Sequence, residues 1–259
     1  MFAGKTDEGV KRIDMEFAIQ TQELTKVYGA KKAVDHLCLD VREGELFALL
    51  GVNGAGKTTT IKMLAGLALP TSGDALLLGE SIVKDPQTAK QFNGISPQET
   101  AIARNLTVLE NLELMARIYG LERAEARKRA LELLERLSLE EVTKSRAKTL
   151  SGGMQRRLSI AMALISEPKV LFLDEPTLGL DVLARRELWK LVLSLKTRST
   201  ILLTTHYLEE VAALSDRVGV MNKGKLVAVG TVQELMERTK SKTFEDAFVL
   251  LATETEAIA

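Results

Sequence analysis

The sequence predicts an α/β fold in which a buried, mainly parallel sheet carries an antiparallel β subdomain and an inserted α-helical subdomain. Three continuous apolar segments, ELFALLG, KVLFLDEP and TILLTT, have the composition of strands that are buried on both faces. Two earlier segments, FAIQTQELTKVYG and AVDHLCLDVREG, alternate apolar and polar residues, as antiparallel strands do. Helical patterns at about residues 99–153 separate two of the buried strands and predict the helical insertion.

Composition and charge exclude several classes of protein. Of the 259 residues, 46% are hydrophobic and 27% are charged, which is ordinary for a globular protein. The 35 basic and 35 acidic side chains cancel, so no net positive charge attracts nucleic acid, and we expect none as a partner. No run of about 18 apolar residues and no N-terminal secretion signal is found, so a cytoplasmic location is expected. One cysteine, Cys38, and two histidines cannot build a disulfide framework or a Cys/His zinc site.

A glycine-rich turn directly follows the first buried strand. Residues 51–58, GVNGAGKT, fit the pattern G-x-x-x-x-G-K-[ST], and a predicted helix, KTTTIKMLAGL, follows them. Such glycines let backbone N–H groups surround a phosphate, Lys57 supplies a full positive charge, and the Thr58 hydroxyl is placed to ligate Mg²⁺. The turn therefore predicts a P-loop nucleotide-binding site, but a P-loop alone does not separate kinases, GTPases, helicases and transport ATPases. The expected ATP-binding residues are Gly51, Asn53, Gly54, Ala55, Gly56, Lys57, Thr58 and Thr59.

The segment between the P-loop and the second buried strand reads as helical. Thr107 and Glu110 have the spacing of a capping box, and the helix that they begin is expected to end at Gly120. The next predicted helix places apolar side chains on one face and i,i+4 pairs such as Glu125 and Arg129 on the other. These charges indicate a solvated surface rather than a binding patch.

Two adjacent carboxylates end the second buried strand in KVLFLDEP. Strand ends of this kind lie at the crevice where α/β proteins bind ligands. Asp174 is placed to hold Mg²⁺ through water, and Glu175 is placed to polarise the water that attacks the γ-phosphate. Pro176 ends the strand immediately afterwards, which favours a functional pair over a solvated loop.

The order of the motifs resembles the ATP-binding cassette, the nucleotide-binding subunit of ABC transporters. LSGGMQRR lies upstream of LFLDEP and TTH lies downstream of it, and the resemblance extends from about residue 17 to about residue 230. It implies a P-loop NTPase core of the RecA-like type. It implies that Tyr28 stacks under adenine, that Gln98 of SPQE reaches Mg²⁺ and the attacking water, that Asp181 belongs to the D-loop, and that His206 is the switch histidine. An aromatic ring beside a Gly turn and a histidine at a strand end suit these roles.

The double glycine of LSGGMQRR is the signature of that family. The resemblance implies that Ser151, Gly152 and Gly153 of one subunit cover the ATP that is held by the P-loop of its partner. Glycine permits close backbone approach, and a helix that we expect to begin near Met154 would direct its positive end at the γ-phosphate. Met154 replaces the usual glutamine of LSGGQ. With one P-loop and one signature, the chain should act as a homodimer or with a similar ABC subunit.

The expected domain organisation follows from these assignments. Residues 1–14 are polar and aperiodic and predict a flexible extension, whereas residues 15–230 predict one ATPase domain. Inside that domain, VGVMNKGKLVAV predicts a hairpin. Residues 231–259 predict a short helical tail, in which Thr231 and Glu234 form a capping box. The segment TFEDAFVLL resembles the C-terminal helix of cassettes from the bacterial ABC-2 or drug-exporter branch.

The resemblance implies an ATP-hydrolysing subunit of an ABC exporter that drives a separate transmembrane permease from the inner face of the cell membrane. The cargo would be chosen by that membrane subunit. One alternative is a soluble ABC ATPase for assembly, such as iron–sulfur cluster biogenesis. Another is an ABC protein that acts on ribosomes or DNA, although such proteins usually carry two cassettes or a long coiled-coil insertion.

Overall fold

A computed structural model describes residues 17–253 of the chain. The predicted extension at residues 1–14 and the last six residues of the predicted tail, 254–259, lie outside this range. The strands, in chain order, are β1 (Phe17–Tyr28), β2 (Lys31–Leu37), β3 (Asp40–Arg42), β4 (Leu46–Leu50), β5 (Ser72–Leu77), β6 (Glu80–Ser81), β7 (Asn93–Ser96), β8 (Val170–Asp174), β9 (Thr200–Thr205), β10 (Arg217–Asn222) and β11 (Lys225–Gly230).

The strands form the two sheets that the sequence patterns predict. The two alternating segments supply β1, β2 and β3, which form a five-stranded antiparallel sheet together with β5 and β6, two strands that were not predicted. The other sheet has six strands in the order β11-β10-β4-β9-β8-β7, and only the β10–β11 pair is antiparallel. The predicted hairpin is this antiparallel pair.

The described helices are α1 (Lys57–Leu64), α2 (Pro86–Gln91), α3 (Val108–Ile118), α4 (Arg123–Arg136), α5 (Gly152–Leu164), α6 (Val182–Leu195), α7 (Leu208–Leu214), α8 (Val232–Thr239) and α9 (Phe244–Thr253). Both predicted capping boxes are present, at the starts of α3 and α8. Among residues 17–253, no helix combines the length and the apolar composition that crossing a membrane requires.

The start of α5 differs from the expectation that it lies near Met154. The helix begins at Gly152, because Ser151 serves as its N-cap and its side-chain oxygen accepts a hydrogen bond from the Met154 N–H. Both glycines therefore lie in the first helical turn. A capping serine satisfies an otherwise unpaired N–H, which offsets the poor helix propensity of glycine.

The central sheet is buried on both faces, and this explains its continuous apolar strands. Leu46, Ala48 and Leu50 of β4 face a core shared with α3 to α7. Phe47 and Leu49 point to the opposite face, where the core includes α1 and the antiparallel sheet. Successive strand residues point to opposite faces, so both sets must be apolar.

Candidate active site

Four parallel strands of the central sheet end at the same edge. In register, Leu50 of β4 pairs with Thr205 of β9, Asp174 of β8 pairs with Thr204, and Ser96 of β7 pairs with Leu173. The residues that follow these strands are the P-loop, Glu175, His206 and the segment that carries Gln98. They surround a cavity of about 400 Å³ that residues 53–59 line together with Gln98, Glu175 and His206.

The P-loop has a backbone that only glycine adopts easily. Gly54 and Gly56 have φ values of +82° and +109°. A Cβ at Gly56 would lie 2.5 Å from the Ala33 carbonyl oxygen of β2, and a Cβ at Gly51 would lie 2.6 Å from that of Met221. Side chains at these positions would therefore push the loop away from the strands that support it.

Lys57 and Glu175 form a buried ion pair at the floor of the cavity. The Lys57 Nζ lies 3.5 Å from the Glu175 Oε1 and donates hydrogen bonds to the carbonyls of Gly51, at 2.7 Å, and Val52, at 3.3 Å. Lys57 is 4% exposed and Glu175 is 7% exposed. Burial lowers the pKa of Lys57, and the attraction of Glu175 opposes the shift. A phosphate that entered the cavity would meet a cation already directed by two loop carbonyls.

His206 contacts the second oxygen of the same carboxylate. Its Nδ1 lies 3.2 Å from the Glu175 Oε2, although the angle is not that of a hydrogen bond. The His206 ring also lies against Tyr207, with 4.1 Å between the ring centroids. The Glu175 carboxylate thus lies beside both the P-loop lysine and His206, the predicted switch histidine.

Glu175 has an unusual backbone that directs its side chain into the cavity. Its φ is +46°, in the left-handed region that non-glycine residues seldom adopt. The Glu175 N–H donates to the backbone oxygen of Thr204, at 3.1 Å, and to its Oγ1, at 3.0 Å. Strain of this kind persists where neighbouring bonds enforce it, and it is typical of functional sites.

The oxygen atoms around Asp174 suit a hard divalent cation. The Asp174 Oδ1 accepts hydrogen bonds from the Thr58 Oγ1, at 3.0 Å, and from the Thr204 Oγ1, at 2.5 Å. Carboxylate and hydroxyl oxygens are the ligands that Mg²⁺ prefers. The donor set of Thr58 and Asp174 therefore fits Mg²⁺, and Gln98 lines the same cavity as Thr58.

Tyr28 lies near the cavity but does not line it. The residue ends β1, its side chain is 49% exposed, and the Lys26 Nζ lies 4.9 Å from its ring centroid. Its partner across the antiparallel pair is Lys31, which does line the cavity. Adenine stacking on Tyr28 stays a prediction.

The signature residues and Asp181 form a separate surface outside the cavity. A Cβ at Gly152 would lie 3.9 Å from Leu180, and a Cβ at Gly153 would lie 3.5 Å from Ala184, both ordinary contacts. Asp181 caps α6 by accepting hydrogen bonds from the N–H groups of Leu183 and Ala184. The structure therefore brings the signature next to the D-loop, and the role of both toward a partner's nucleotide stays a prediction.

Three residues near the site were not anticipated from the sequence. Lys31 lines the cavity, Arg156 donates to the backbone oxygens of Pro97 and Gln98, and Glu210 is fully buried in α7. Lys31 follows an exposed Gly turn, which is a weak signal. Arg156 and Glu210 are charged residues on the inner faces of amphipathic helices, and that position is the signal that could have identified them.

Glu210 connects α7 to α6 behind His206. The Trp189 Nε1 donates to its Oε1 at 3.2 Å. The hydroxyls of Thr177 and Thr205 face the carboxylate, but its Oε2 has no hydrogen bond of good geometry among the described residues. Burial raises the pKa of Glu210, and these donors and Arg185 oppose the shift only in part.

A glycine-rich loop that opens α1, together with an Asp-Glu pair at the end of the neighbouring β8, defines the class of P-loop nucleoside triphosphatases. Comparison with known proteins shows which family of P-loop nucleoside triphosphatases the chain resembles. Residues 34–178 match the model of the ABC transporter family. The chain is 42% identical over 226 residues to the linearmycin resistance ATP-binding protein LnrL of Bacillus subtilis, a match that covers 87% of this chain and 73% of that protein.

Further matches agree with this family. The chain is 43% identical over 219 residues to the daunorubicin/doxorubicin resistance ATP-binding protein DrrA of Streptomyces peucetius, covering 84% of this chain and 66% of that protein. The fold matches the dimeric structure of a post-hydrolysis state of an ATP-binding cassette bound to ADP and Pi. That match has a TM-score of 0.75 and 27% identity, and it covers 82% of this chain and 98% of the other.

The chain therefore belongs to the ABC transporter family and is an ATP-binding subunit that hydrolyses ATP. The predictions of family, fold class and ATPase activity are confirmed. The assembly ATPase, the alternative that the sequence left open, is not favoured by these matches.

The raised pKa of Glu210 predicts a pH-dependent stability. Above the ordinary glutamate pKa of 4.5, the unfolded chain releases this proton while the folded chain keeps it. The free energy of unfolding therefore falls as pH rises toward the raised pKa, by at most about 1.4 kcal/mol per pH unit for one proton. Glu210→Gln cannot titrate, so its stability relative to the native protein should increase with pH in this window.

Urea unfolding between pH 4 and pH 8 measures this difference. Glu209→Gln is the matched control, because the adjacent Glu209 carboxylate is 81% exposed and, among residues 17–253, its one ion pair is with Arg185, at 3.8 Å. The control should run parallel to the native protein at all pH values. A Glu210→Gln curve that is also parallel would contradict the raised pKa.

Proposed function

We propose that the chain is the ATPase subunit of a drug exporter, in which two cassettes hold ATP between them and drive a separate transmembrane subunit. The observation that carries the ATPase part is the convergence of Lys57, Glu175 and His206 on one cavity. The exporter part is supported by two relatives that are named for resistance to linearmycin and to daunorubicin and doxorubicin.

The residues of this chain have distinct roles in hydrolysis. Lys57 and the P-loop N–H groups hold the phosphates, and the positive N-terminal end of α1 contributes a partial charge. Glu175 accepts a hydrogen bond from the attacking water and orients it, while Lys57 and the left-handed backbone of Glu175 fix the position of the carboxylate. His206, which lies 3.2 Å from that carboxylate, donates to the γ-phosphate.

Thr58, Asp174 and Gln98 are proposed to hold Mg²⁺. The Thr58 hydroxyl, the Asp174 carboxylate acting through water, and the Gln98 amide oxygen would hold the ion. Bound Mg²⁺ would supply positive charge to the phosphates of the nucleotide. Thr204 keeps the Asp174 carboxylate in place through the 2.5 Å hydrogen bond.

The nucleotide base is proposed to lie against Tyr28. The exposed ring at the end of β1 offers an apolar face next to the cavity wall formed by Lys31 and Ala33. An offset stack of a purine on a tyrosine ring is a favourable arrangement. Lys26, which lies over the ring at 4.9 Å, leaves one face for the base.

The second half of each nucleotide site is proposed to come from a partner cassette. Gly152 and Gly153 have negative φ values and room for a Cβ, so nothing in the described part of the chain requires glycine there. Each glycine in a helix costs about 1 kcal/mol relative to alanine. The Ser151 Oγ uses a lone pair for its cap, which leaves its O–H free to donate to a phosphate. A nucleotide phosphate held by a partner cassette at this surface would explain both the two glycines and the free Ser151 hydroxyl.

Hydrolysis is the first test of the site. Glu175→Gln should retain ATP binding and lose most turnover, because a neutral amide polarises the attacking water far less than a carboxylate does. Lys57→Ala should weaken ATP binding itself, because a buried cation at the phosphates is lost. Equilibrium titration with ATP and a phosphate-release assay measure the two effects separately. Near-native turnover by Glu175→Gln would remove Glu175 from the proposed role.

ATP-dependent dimerisation is the second test. With turnover blocked by Glu175→Gln, saturating Mg-ATP should convert monomer to dimer in sedimentation at high protein concentration. Adding Ser151→Arg should abolish the shift by placing bulk where the partner's phosphate lies. Ser194→Arg is the control, since Ser194 is equally exposed but lies at the far end of α6. A Glu175→Gln protein that binds ATP and stays monomeric would contradict the composite site.

Association with a membrane subunit is the third test. Crosslinking in native membranes should join the chain to a protein with several membrane spans, because an exporter needs a separate pathway for its cargo. Mass spectrometry of the crosslinked species identifies this partner. Recovery of the chain only with soluble partners would contradict the exporter and favour the assembly ATPase.

A further inference from the structure

One face of α5 runs along β7 and continues past the end of that strand. The Ala163 carbonyl oxygen approaches Gly94 so closely that a Cβ at Gly94 would lie 2.1 Å from it. One turn earlier, the Ser159 and Ser96 hydroxyls, both buried, are hydrogen-bonded at 2.8 Å. Arg156 is the next residue on this face, at spacings of three and seven from Ser159 and Ala163. Helix and strand thus form one packed unit.

Arg156 extends that unit into the loop that carries Gln98. Its Nη1 donates to the Pro97 carbonyl oxygen at 2.6 Å, and its Nη2 donates to the Gln98 carbonyl oxygen at 2.7 Å. The two nitrogens of one planar guanidinium therefore hold two successive carbonyls. The far end of the loop is held independently, because the buried Asn111 side chain bonds both the N–H and the carbonyl of Ala103.

The position of Arg156 is unfavourable for a charge and is not explained by an ion pair. The side chain is 5% exposed, and within residues 17–253 no carboxylate lies at ion-pair distance from it. Burial lowers the pKa of Arg156, and the more distant Asp174 and Glu210 oppose the shift. A buried cation whose hydrogen bonds go to loop carbonyls restrains the loop.

We infer that Arg156 is a positioning residue that fastens the glutamine loop to the signature helix. The inference rests on the proposed function, in which Gln98 completes the metal site of the chain's own nucleotide and Ser151 to Gly153 face the partner's nucleotide. Arg156 lies five residues after Ser151, about 7.5 Å along the helix at about 1.5 Å per residue. The same rigid helix therefore holds a group of each site.

The consequence is that the two nucleotide sites are mechanically linked through α5. A displacement of the helix when its start engages the partner's ATP carries Pro97 and Gln98 with it. The placement of Gln98 toward its own Mg²⁺ then depends on the state of the opposite site. Arg156 itself touches neither nucleotide, so its effect is on placement rather than on chemistry.

The test compares Arg156→Lys with the matched control Arg157→Lys. A lysine keeps the charge but cannot donate to two separate carbonyls with a planar fork. Arg157 is the next residue of the same helix and pairs with the exposed Glu187 on the outer side. In Arg156→Lys we expect kcat to fall roughly tenfold, in the range seen when groups that orient a metal ligand are changed. The Mg²⁺ concentration for half-maximal activity should rise, and the affinity for ATP should stay unchanged.

Backbone order parameters from NMR relaxation of the nucleotide-free protein test the fastening directly. In Arg156→Lys, the order parameters of residues 98–102 should fall, while those of α5 and of the segment after Ala103 stay native. Arg157→Lys should match the native protein in order parameters, kcat and Mg²⁺ dependence. Native kcat in Arg156→Lys, or loop order parameters that are unchanged, overturns the inference. Lower order parameters throughout α5 show a general loss of packing and also overturn it.

A second variant covers the case in which Arg156→Lys does not fold. Arg156→Met removes the buried charge and both donors but keeps an unbranched, adaptable side chain that fills part of the same space. It should show the same lower loop order parameters and the same loss of kcat. Failure of the proposed function is distinguishable, because it would appear as absence of ATP hydrolysis in the native protein while the order-parameter result stands unaffected.

Discussion

The parallel register of β4, β9, β8 and β7 is the constraint on which the rest of the structure depends. Neighbouring parallel strands that share a register must end at one edge of the sheet. The segments that follow them, the P-loop, Glu175, His206 and the Gln98 loop, therefore meet at that edge. They do so although 155 positions separate residues 51 and 206 along the chain. The apolar cores on both faces hold that register, since a slip by one residue would expose one buried face of a strand. The chemistry is thus assembled by sheet geometry rather than by local sequence.

The charges at this edge are tolerated because each is held by a specific neighbour. Lys57 is paired with Glu175 and bonded to two loop carbonyls, and Asp174 accepts from two threonine hydroxyls. The Thr204 hydroxyl donates to the Asp174 carboxylate and accepts from the backbone N–H of Glu175, so it holds both residues in place. A buried charge without such partners would shift its pKa and lose its charge. Glu210, whose second oxygen is poorly bonded, is the group in which that tendency is visible.

The sequence was sufficient for what depends on local pattern, and insufficient for what depends on tertiary contact. Strand burial, the P-loop, both capping boxes and the Asp-Glu pair follow from periodicity and motif, and the structure places each at its expected element. The start of α5 was misplaced because glycine lowers helix propensity, whereas the Ser151 cap decides the boundary. Arg156 and Glu210 lie on inner helix faces, which the pattern could indicate, but their roles could not be predicted, since their partners lie 58 and 21 residues away along the chain. The sequence correctly predicted Tyr28 at the end of a strand. It could not predict that Lys31 rather than Tyr28 lines the cavity, because this depends on how β1 pairs with β2.

The inner face of helix α5 is explained by contacts within this chain, whereas its first turn is not. Its inner face is explained by this chain, because Ala163, Ser159 and Arg156 each contact β7 or the loop beyond it. Its first turn is not, because two glycines weaken the helix at positions where a Cβ would meet only ordinary contacts. A helix that is firmly held by its own chain and left open at its positive end is suited to contact a group from outside. Arg156 and Ser159 fix the helix to β7 and to the loop that carries Gln98. In the proposed mechanism, a movement of the helix that such a contact causes therefore also moves Gln98, which belongs to the chain's own nucleotide site.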